Sequence, residues 1–578
     1  MIMSMLITEV LIIIMNYARF FTYFWLSIFL FSCSWQGNNP VTSDVVIKVS
    51  DYNVIAGVED VTQPLRNAIS AAKKRNANKL VFEPGIYHFK SATAMADYDL
   101  LMSSKLHFDT PWGLGAEGYN KSISFNELNN LTIDGQGSTL VFHGLTQAIE
   151  LISSHNITLK NFTIKWQRPL FSIGTVLIAD GNTVSVEFDE IFPVVGGEPV
   201  WAYMDYNPQT KKLGVFDDWR IKEPMTFVSP QVLSFKSDRK LPVGHRLIVR
   251  HVGNYRPAIH LVNTQNIHFE NVTILSAPGM GVIGHNCHNV SFNKLSVKPE
   301  KDHLMSTNTD ATHFISCTGE ISIKNSYFEG MGDDATNVHG FYLSIKKIID
   351  QHNIVTYLEA NTQDHLVDIP AVGDKMEYIN RSNLSIIGGN IIKKVTAHEN
   401  REISIEFSEP LPKGFLANNL LANATKTASL HFANNTVKNI RARGILFQSR
   451  GALIENNTFD STTGTGILID TATGWMESIG TQDVIIRNNV IKSSGYGDGT
   501  YRNASGIAVL TESNQSISGV HKNLTIEGNR IEGVGNRGIY VCCSDNVQIK
   551  NNVINNSKPK IFTENTTNLT LINNTGND

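Results

Sequence analysis

Apolar and polar positions alternate along most of this chain in bursts of three to five residues, and asparagine punctuates them. The phrase reads "NNLTIDG" at 129–135, "HNITLKNFTI" at 155–164, "QNIHFENVTI" at 265–274, "HNVSFNKLSV" at 288–297 and "GEISIKNSYF" at 319–328. It returns as "ALIENNTF" (452–459), "VIIRNNVI" (484–491), "LTIEGNRI" (524–531) and "VQIKNNVI" (547–554). Alternation with period two predicts short strands. Between the C-terminal copies lies a second strand phrase: "RGILFQS", "TGILIDT", "SGIAVLT" and "RGIYVCC". Repeats of roughly twenty to thirty residues, made of short strands without helices between them, predict a solenoid. Its coils stack about 4.8 Å apart. Asparagine suits the turns because it accepts left-handed geometry and its amide can bond a neighbour one coil away. The expected fold is all-β, a right-handed parallel β-helix. A β-propeller fits less well, since a blade takes about 40–45 residues. The Asn-x-Ser/Thr triplets at Asn130, Asn156, Asn161, Asn271, Asn289, Asn523 and Asn568 then read as turn and ladder residues rather than glycan acceptors.

Three departures from the repeat organise the chain. At 60–89, "DVTQPLRNAISAAKKRNANKLVFEPGIYHF" opens with a helical pattern whose apolar positions are Leu65, Ile69 and Ala72. Such a helix would cap the first coil and shield its edge from pairing with other chains. Residues 166–257 and 341–425 lose the Asn phrase and show longer alternating strands, so each predicts an inserted, small β-barrel-like domain. The expected organisation is a cap and first coils at 40–165, an insertion at 166–257 and coils at 258–340. A second insertion at 341–425 and C-terminal coils at 426–573 follow.

Composition narrows the partners. With 18% charged residues and a formal net charge of −4, nothing indicates nucleic acid as a partner. The five cysteines show no C-x-x-C spacing, which leaves neither a zinc knuckle nor a disulfide framework. Cys287, Cys317, Cys542 and Cys543 read as small buried hydrophobes. Cys33 differs. It follows "MNYARFFTYFWLSIFLFSC", whose apolar run from Phe20 to Phe31 has signal-peptide length and is too short to span a bilayer. "LFSC" approximates a lipoprotein box, with Cys33 as the lipidated residue and Met15 as the functional start; ordinary cleavage and an uncleaved anchor are the alternatives. This predicts export to the periplasm or cell surface of a Gram-negative bacterium, with membrane contact only through the lipid.

Chemistry concentrates in "STNTDATHF" and "EGMGDDATNVHG". Asp310 and Asp333 are 23 residues apart, about one coil, so stacking brings them together, with Asp334 beside them. A single Asp in such a turn is ordinarily just a turn residue, and a calcium site is the other bland reading. Three acids one coil apart, flanked by Asn308 and His339 and next to an insertion, point instead to catalysis. Converging carboxylates raise one another's pKa, leaving one as acid and another as base. Glycoside hydrolysis needs that pair. Metal-protease, P-loop, serine-hydrolase and dinucleotide-binding motifs are missing from the sequence. Trp475 is a candidate for stacking on a sugar. Arg441, Arg443 and Gln448 are candidates for bonding sugar hydroxyls, and His339 for orienting an aspartate or the substrate.

The segment "STNTDATHFISCTGEISIKNSYFEGMGDDATNVHG" (306–340) resembles glycoside hydrolase family 110, the bacterial exo-α-1,3-galactosidases, and the resemblance extends over most of the chain after the signal. It implies an inverting hydrolase that needs no metal or other cofactor. Its substrate would be an oligosaccharide ending in α-1,3-linked galactose, as in blood group B and related glycans. By motif match Asp310 would be the general acid, and Asp333 with Asp334 would hold and activate water. The same residues also look like the polygalacturonase pattern of "NTD", "DD" and "HG". No Arg-Ile-Lys follows to meet a uronate carboxylate, and "RAR" at 441–443 is the nearest substitute. Pectin hydrolysis is therefore the second reading, and a non-catalytic glycan-binding β-helix the third.

Overall fold

The computed structural model describes residues 45–106, 119–213, 223–253, 255–359, 369–398, 401–497 and 504–577. Cys33 and the whole signal-like segment lie outside the described residues. Among the described residues no helix is long and apolar enough to cross a membrane.

The Asn phrases form one long sheet of 21 parallel strands, and the second strand phrases form another parallel stack. Gln265–Ile274, for example, pairs in parallel with His155–Trp166 on one side and with His288–Asn293 on the other. The second stack runs from Gln147–Ile152 through Ile259–Val262, Val282–His285 and Thr312–Ile315 to Thr336–Ile348. It continues through Ile445–Gln448, Ile467–Ile469, Ser505–Val509 and Arg537–Cys542. The chain is thus a parallel β-helix. Its interior is filled by the inward half of each alternation, as in Leu159, Phe269, Phe292 and Ile323, which are fully buried.

Asparagine holds the coils in register in two ways. On the outside, Asn130, Asn156, Asn266 and Asn289 sit at φ of 54–55°, and each bonds the next: Asn156 to Asn130 at 2.9 Å, Asn266 to Asn156 at 2.9 Å, Asn289 to Asn266 at 3.1 Å. Inside, a buried ladder runs from Asn457 to Asn489 (2.9 Å), Asn529 (3.0 Å), Asn552 (3.0 Å) and Asn574 (2.9 Å). Each amide satisfies a neighbour that burial would otherwise leave unpaired.

The cap is the helix Thr62–Lys74, which buries Leu65, Ala68, Ile69 and Ala72. It packs on Val46–Lys48 and Lys79–Val81, parallel strands at the start of the stack. A second helix, Ala92–Met102, was not expected from the sequence. Its apolar positions lack helical spacing, and only the cap at Ser91, whose hydroxyl accepts the Ala94 N–H, marks its start.

The two insertions differ in construction. The first is a seven-stranded antiparallel sheet from Phe171–Asp180 to Arg246–Arg250, with Lys212–Leu213 at one end of the strand order and Thr226–Ser229 at the other. In the second, Thr336–Ile348 pairs antiparallel with Asn353–Tyr357 and with Leu420–Asn423. Around the other side, Glu402–Phe407, Ile386–Ala397 and Lys375–Ile379 complete a ring of antiparallel pairs back to Leu420–Asn423. The coil and this insertion share one strand. Residues 336–339 of Thr336–Ile348 pair in parallel within the β-helix, and residues 344–348 pair antiparallel in the ring.

Candidate active site

The three acids meet as the spacing suggests, but in a different register. Thr312 pairs with Thr336 and Ile315 with His339, which aligns Asp310 with Asp334 at a separation of 24 residues. The repeated phrase "DAT", at 310–312 and 334–336, is the sequence signal for this register. The backbone ladder continues it: Gly281 N–H donates to Asp310 O, Ala311 N–H to Asp334 O and Ala335 N–H to Arg443 O, at 2.9, 2.9 and 3.1 Å. Met280, Asp310, Asp334 and Arg443 therefore occupy equivalent positions on four successive coils. Asp333 lies one residue off this column, with its side chain 28% exposed. His313, Asn337 and Leu446 form a neighbouring column. Both columns line one pocket together with Asp333, Trp475 and Glu477.

Geometry separates the acids' roles. One oxygen from each of the three lies within 4.8 Å of the others. Asp334 is clamped by Arg443, whose backbone N–H and Nε donate to Oδ1 at 2.8 and 2.7 Å. Asp333 faces Arg441 Nη1 at 3.2 Å and Arg443 Nη2 at 3.7 Å. Asp310 faces His313, and the charge of Arg443 reaches it as well. It accepts the Asp334 N–H at 3.2 Å, and its Oδ2 lies 2.6 Å from His313 Nδ1. Burial, and then the charge of Asp333, push Asp310 well above the ordinary carboxylate range. Burial also pushes Asp334 up, to about 8, against the pull of Arg443. Because a carboxylate that accepts two charge-assisted bonds resists protonation, we assign the first proton of the cluster to Asp310.

The surroundings fix this arrangement. Arg441 Nη1 donates to Gly332 O at 3.2 Å, and Arg250, from the first insertion, donates to Asn308 O. A Cβ on Gly332 would lie 2.2 Å from Asn308 O, so glycine is required where the two turns touch. Asn308 is fully buried and donates to Val252 O at 2.9 Å; it joins the acid turn to the first insertion and does not line the pocket. His339 is likewise buried, one layer behind the pocket wall. Gln448 is buried and donates to Glu477. Trp475, 43% exposed, stands at the pocket. Asn337 Oδ1 is buried and has no hydrogen-bond partner among the described residues, which suits a hydroxyl-bearing ligand.

Sequence reasoning missed Met280, His313, Asn337, Leu446 and Glu477. His313 and Asn337 follow from the "DAT" alignment, three residues past Asp310 and Asp334; Met280 and Leu446 stand on coils without that phrase and are placed by strand pairing. Glu477 has no such signal. It reaches the pocket because Glu477–Ser478 pairs antiparallel with Phe341 and Gly340, at the point where the shared strand leaves the coil. Burial resists its ionisation, while the Gln448 amide and the charge of Arg443 favour its carboxylate form.

The comparisons with known proteins agree with this architecture. A family model described as "Right handed beta helix region" matches residues 420–578. The α-1,3-galactosidase B of Phocaeicola vulgatus is 29% identical over 80% of this chain and 81% of its own. The α-1,3-galactosidase A of Shewanella woodyi is 28% identical over 89% and 87%. That of Bacteroides fragilis, an α-1,3-galactosidase B, is 31% identical over 77% of this chain and 79% of its own. With similarity covering more than three quarters of both chains, the chain belongs to the α-1,3-galactosidase A/B family, glycoside hydrolase family 110.

Proposed function

We propose that the protein is an exo-glycosidase that hydrolyses terminal α-1,3-linked galactose from blood group B and related glycans, with inversion. One observation carries the reading: a pocket in which an acid that faces an imidazole, Asp310, stacks against an acid clamped by a guanidinium, Asp334. The names of the relatives supply the substrate class.

Asp310 donates its proton to the glycosidic oxygen as the bond to galactose breaks. Asp334 and Asp333 orient the attacking water and take its proton, while Arg443 and Arg441 balance their charge. Trp475 offers a face to the apolar side of the sugar, and Asn337 an acceptor to a hydroxyl. The short separation of the acid oxygens lies nearer the retaining than the inverting range of free carboxylates, so the inverting assignment follows the family resemblance. Arg441 and Arg443, the nearest substitute downstream for a uronate-binding tripeptide, are in ion pairs with Asp333 and Asp334, which disfavours pectin hydrolysis. The segment ending at Cys33 supports export with a lipid on that cysteine; incorporation of radiolabelled palmitate, lost in Cys33→Ser, tests it.

The function is tested by incubating the protein with blood group B trisaccharide, a linear galactosyl-α-1,3-galactose disaccharide and polygalacturonate. Free galactose from the trisaccharide supports the proposal, and the disaccharide shows whether the fucose branch is required. Reducing ends from polygalacturonate alone overturn it, as does glycan binding without any hydrolysis. NMR of the anomer released first decides between inversion and retention.

A further inference from the structure

Behind Asp310 lies a chain of hydrogen bonds that the reaction itself does not require. His313 Nδ1 is 2.6 Å from Asp310 Oδ2, His313 Nε2 is 2.8 Å from His339 Nε2, and His339 Nδ1 is 2.8 Å from Gly340 O. The rings cross at 84°, and Phe341 packs edge-on against His339. Both histidines are buried. A carbonyl can only accept, so Nδ1 of His339 carries a hydrogen. In a neutral ring its Nε2 is then a lone pair, which His313 Nε2–H fills. Nδ1 of a neutral His313 is in turn a lone pair, aimed at Asp310.

We infer that His313 and His339 are positioning residues for the acid: the Gly340 carbonyl orients a two-imidazole chain that presents a hydrogen-bond acceptor to Asp310 and holds the catalytic proton there. The inference rests on the glycosidase reading of the same pocket. When Asp310 gives its proton to the leaving oxygen, the new carboxylate faces the His313 lone pair, and that repulsion favours taking up the next proton. The charged and titratable groups around His313 are Asp310, Asp333, Asp334, Arg443 and Glu477, the last 3.7 Å from His339 Nε2. Burial lowers the pKa of His313, which keeps its ring neutral and agrees with this placement of the proton.

The test compares pH profiles of kcat/KM for the full-length enzyme, His313→Phe and His313→Asn. The substrates are the α-1,3-linked disaccharide or trisaccharide and an aryl α-galactoside whose leaving group needs no acid. Losing the acceptor in His313→Phe is expected to move the basic limb to lower pH and to cost about 10²-fold on the natural linkage, with a smaller loss on the aryl substrate. His313→Asn, whose amide oxygen can replace Nδ1, is expected to restore the limb. A uniform loss at every pH and on both substrates overturns the inference and assigns His313 a packing role. Independently of activity, 15N NMR of histidine-labelled protein should show neutral His313 with Nε2–H and neutral His339 with Nδ1–H. An imidazolium or the opposite tautomers at neutral pH would also overturn it. A wild-type enzyme that releases no galactose instead defeats the functional reading on which the chain depends.

Discussion

Asp334 donates its backbone N–H to Oδ1 of Asp310 at 3.2 Å while its own carboxylate is held by Arg443 at 2.7 Å. Two identical side chains at equivalent positions on successive coils thus have opposite environments. One faces an imidazole, the other a guanidinium. Because every coil offers the same position, the β-helix can place acid, acid and base-orienting cation in a line with no special loop.

Replacing the acid should stop the chemistry without unfolding the protein. Asp310→Asn is expected to lower kcat/KM on an α-1,3-linked galactoside by about 10²–10⁴-fold. An unchanged circular dichroism spectrum would show that the coil has survived.

The raised pKa of Asp310 gives the pH dependence a sign. The acid works only when protonated, so activity should fall as pH rises through its raised folded value. The basic limb of kcat/KM against pH measures this, and it should be absent from the residual activity of Asp310→Asn.

The same shift predicts a cost in stability. A carboxyl whose folded pKa lies above its unfolded value of about 3.9 supports the fold fully below that value, and loses that support as pH rises through the folded pKa. Asp310→Asn should therefore gain in Tm relative to the wild type as pH rises above the unfolded value, by about 1–3 °C for a chain of this size. Paired thermal melts across that range check it; a constant difference would count against the burial argument.

Gly332 is where the two acid turns touch. In Gly332→Ala the added methyl would meet Asn308 O at 2.2 Å, forcing the Asp333–Asp334 turn outward. Displacement of about 1 Å is expected to cost about 10²-fold in kcat. Melting should change far less than turnover.

The inner asparagine ladder should matter for stability alone. Asn489→Ala removes an amide that bonds Ile454 O and Asn529 Oδ1 and leaves Asn457 without its rung. A loss of about 1–3 kcal/mol in denaturant unfolding is expected. Steady-state kinetics at a temperature where the variant is folded should match the wild type.

Local pattern made much of this legible. The strands of the coils, the turn asparagines and the cap helix with Leu65, Ile69 and Ala72 follow from alternation and helical spacing, which depend on neighbours in sequence. So does the convergence of Asp310, Asp333 and Asp334, because one coil of chain returns to its starting angle. The count of 23 residues paired Asp310 with the wrong aspartate, however, and the repeated "DAT" was the better ruler.

What the sequence by itself determined is the repeating unit, and with it the column on which the acids stand. Only the tertiary structure decided the surroundings from which we assign the proton to one acid. That choice depends on Arg443, which reaches Asp334 across the second insertion from 109 residues away. It depends on His313 and His339 behind Asp310, and on Glu477, brought in by an antiparallel pair at the mouth of that insertion. Desolvation and charge act through distance in space, and a single chain records no such distances once an insertion interrupts its repeat.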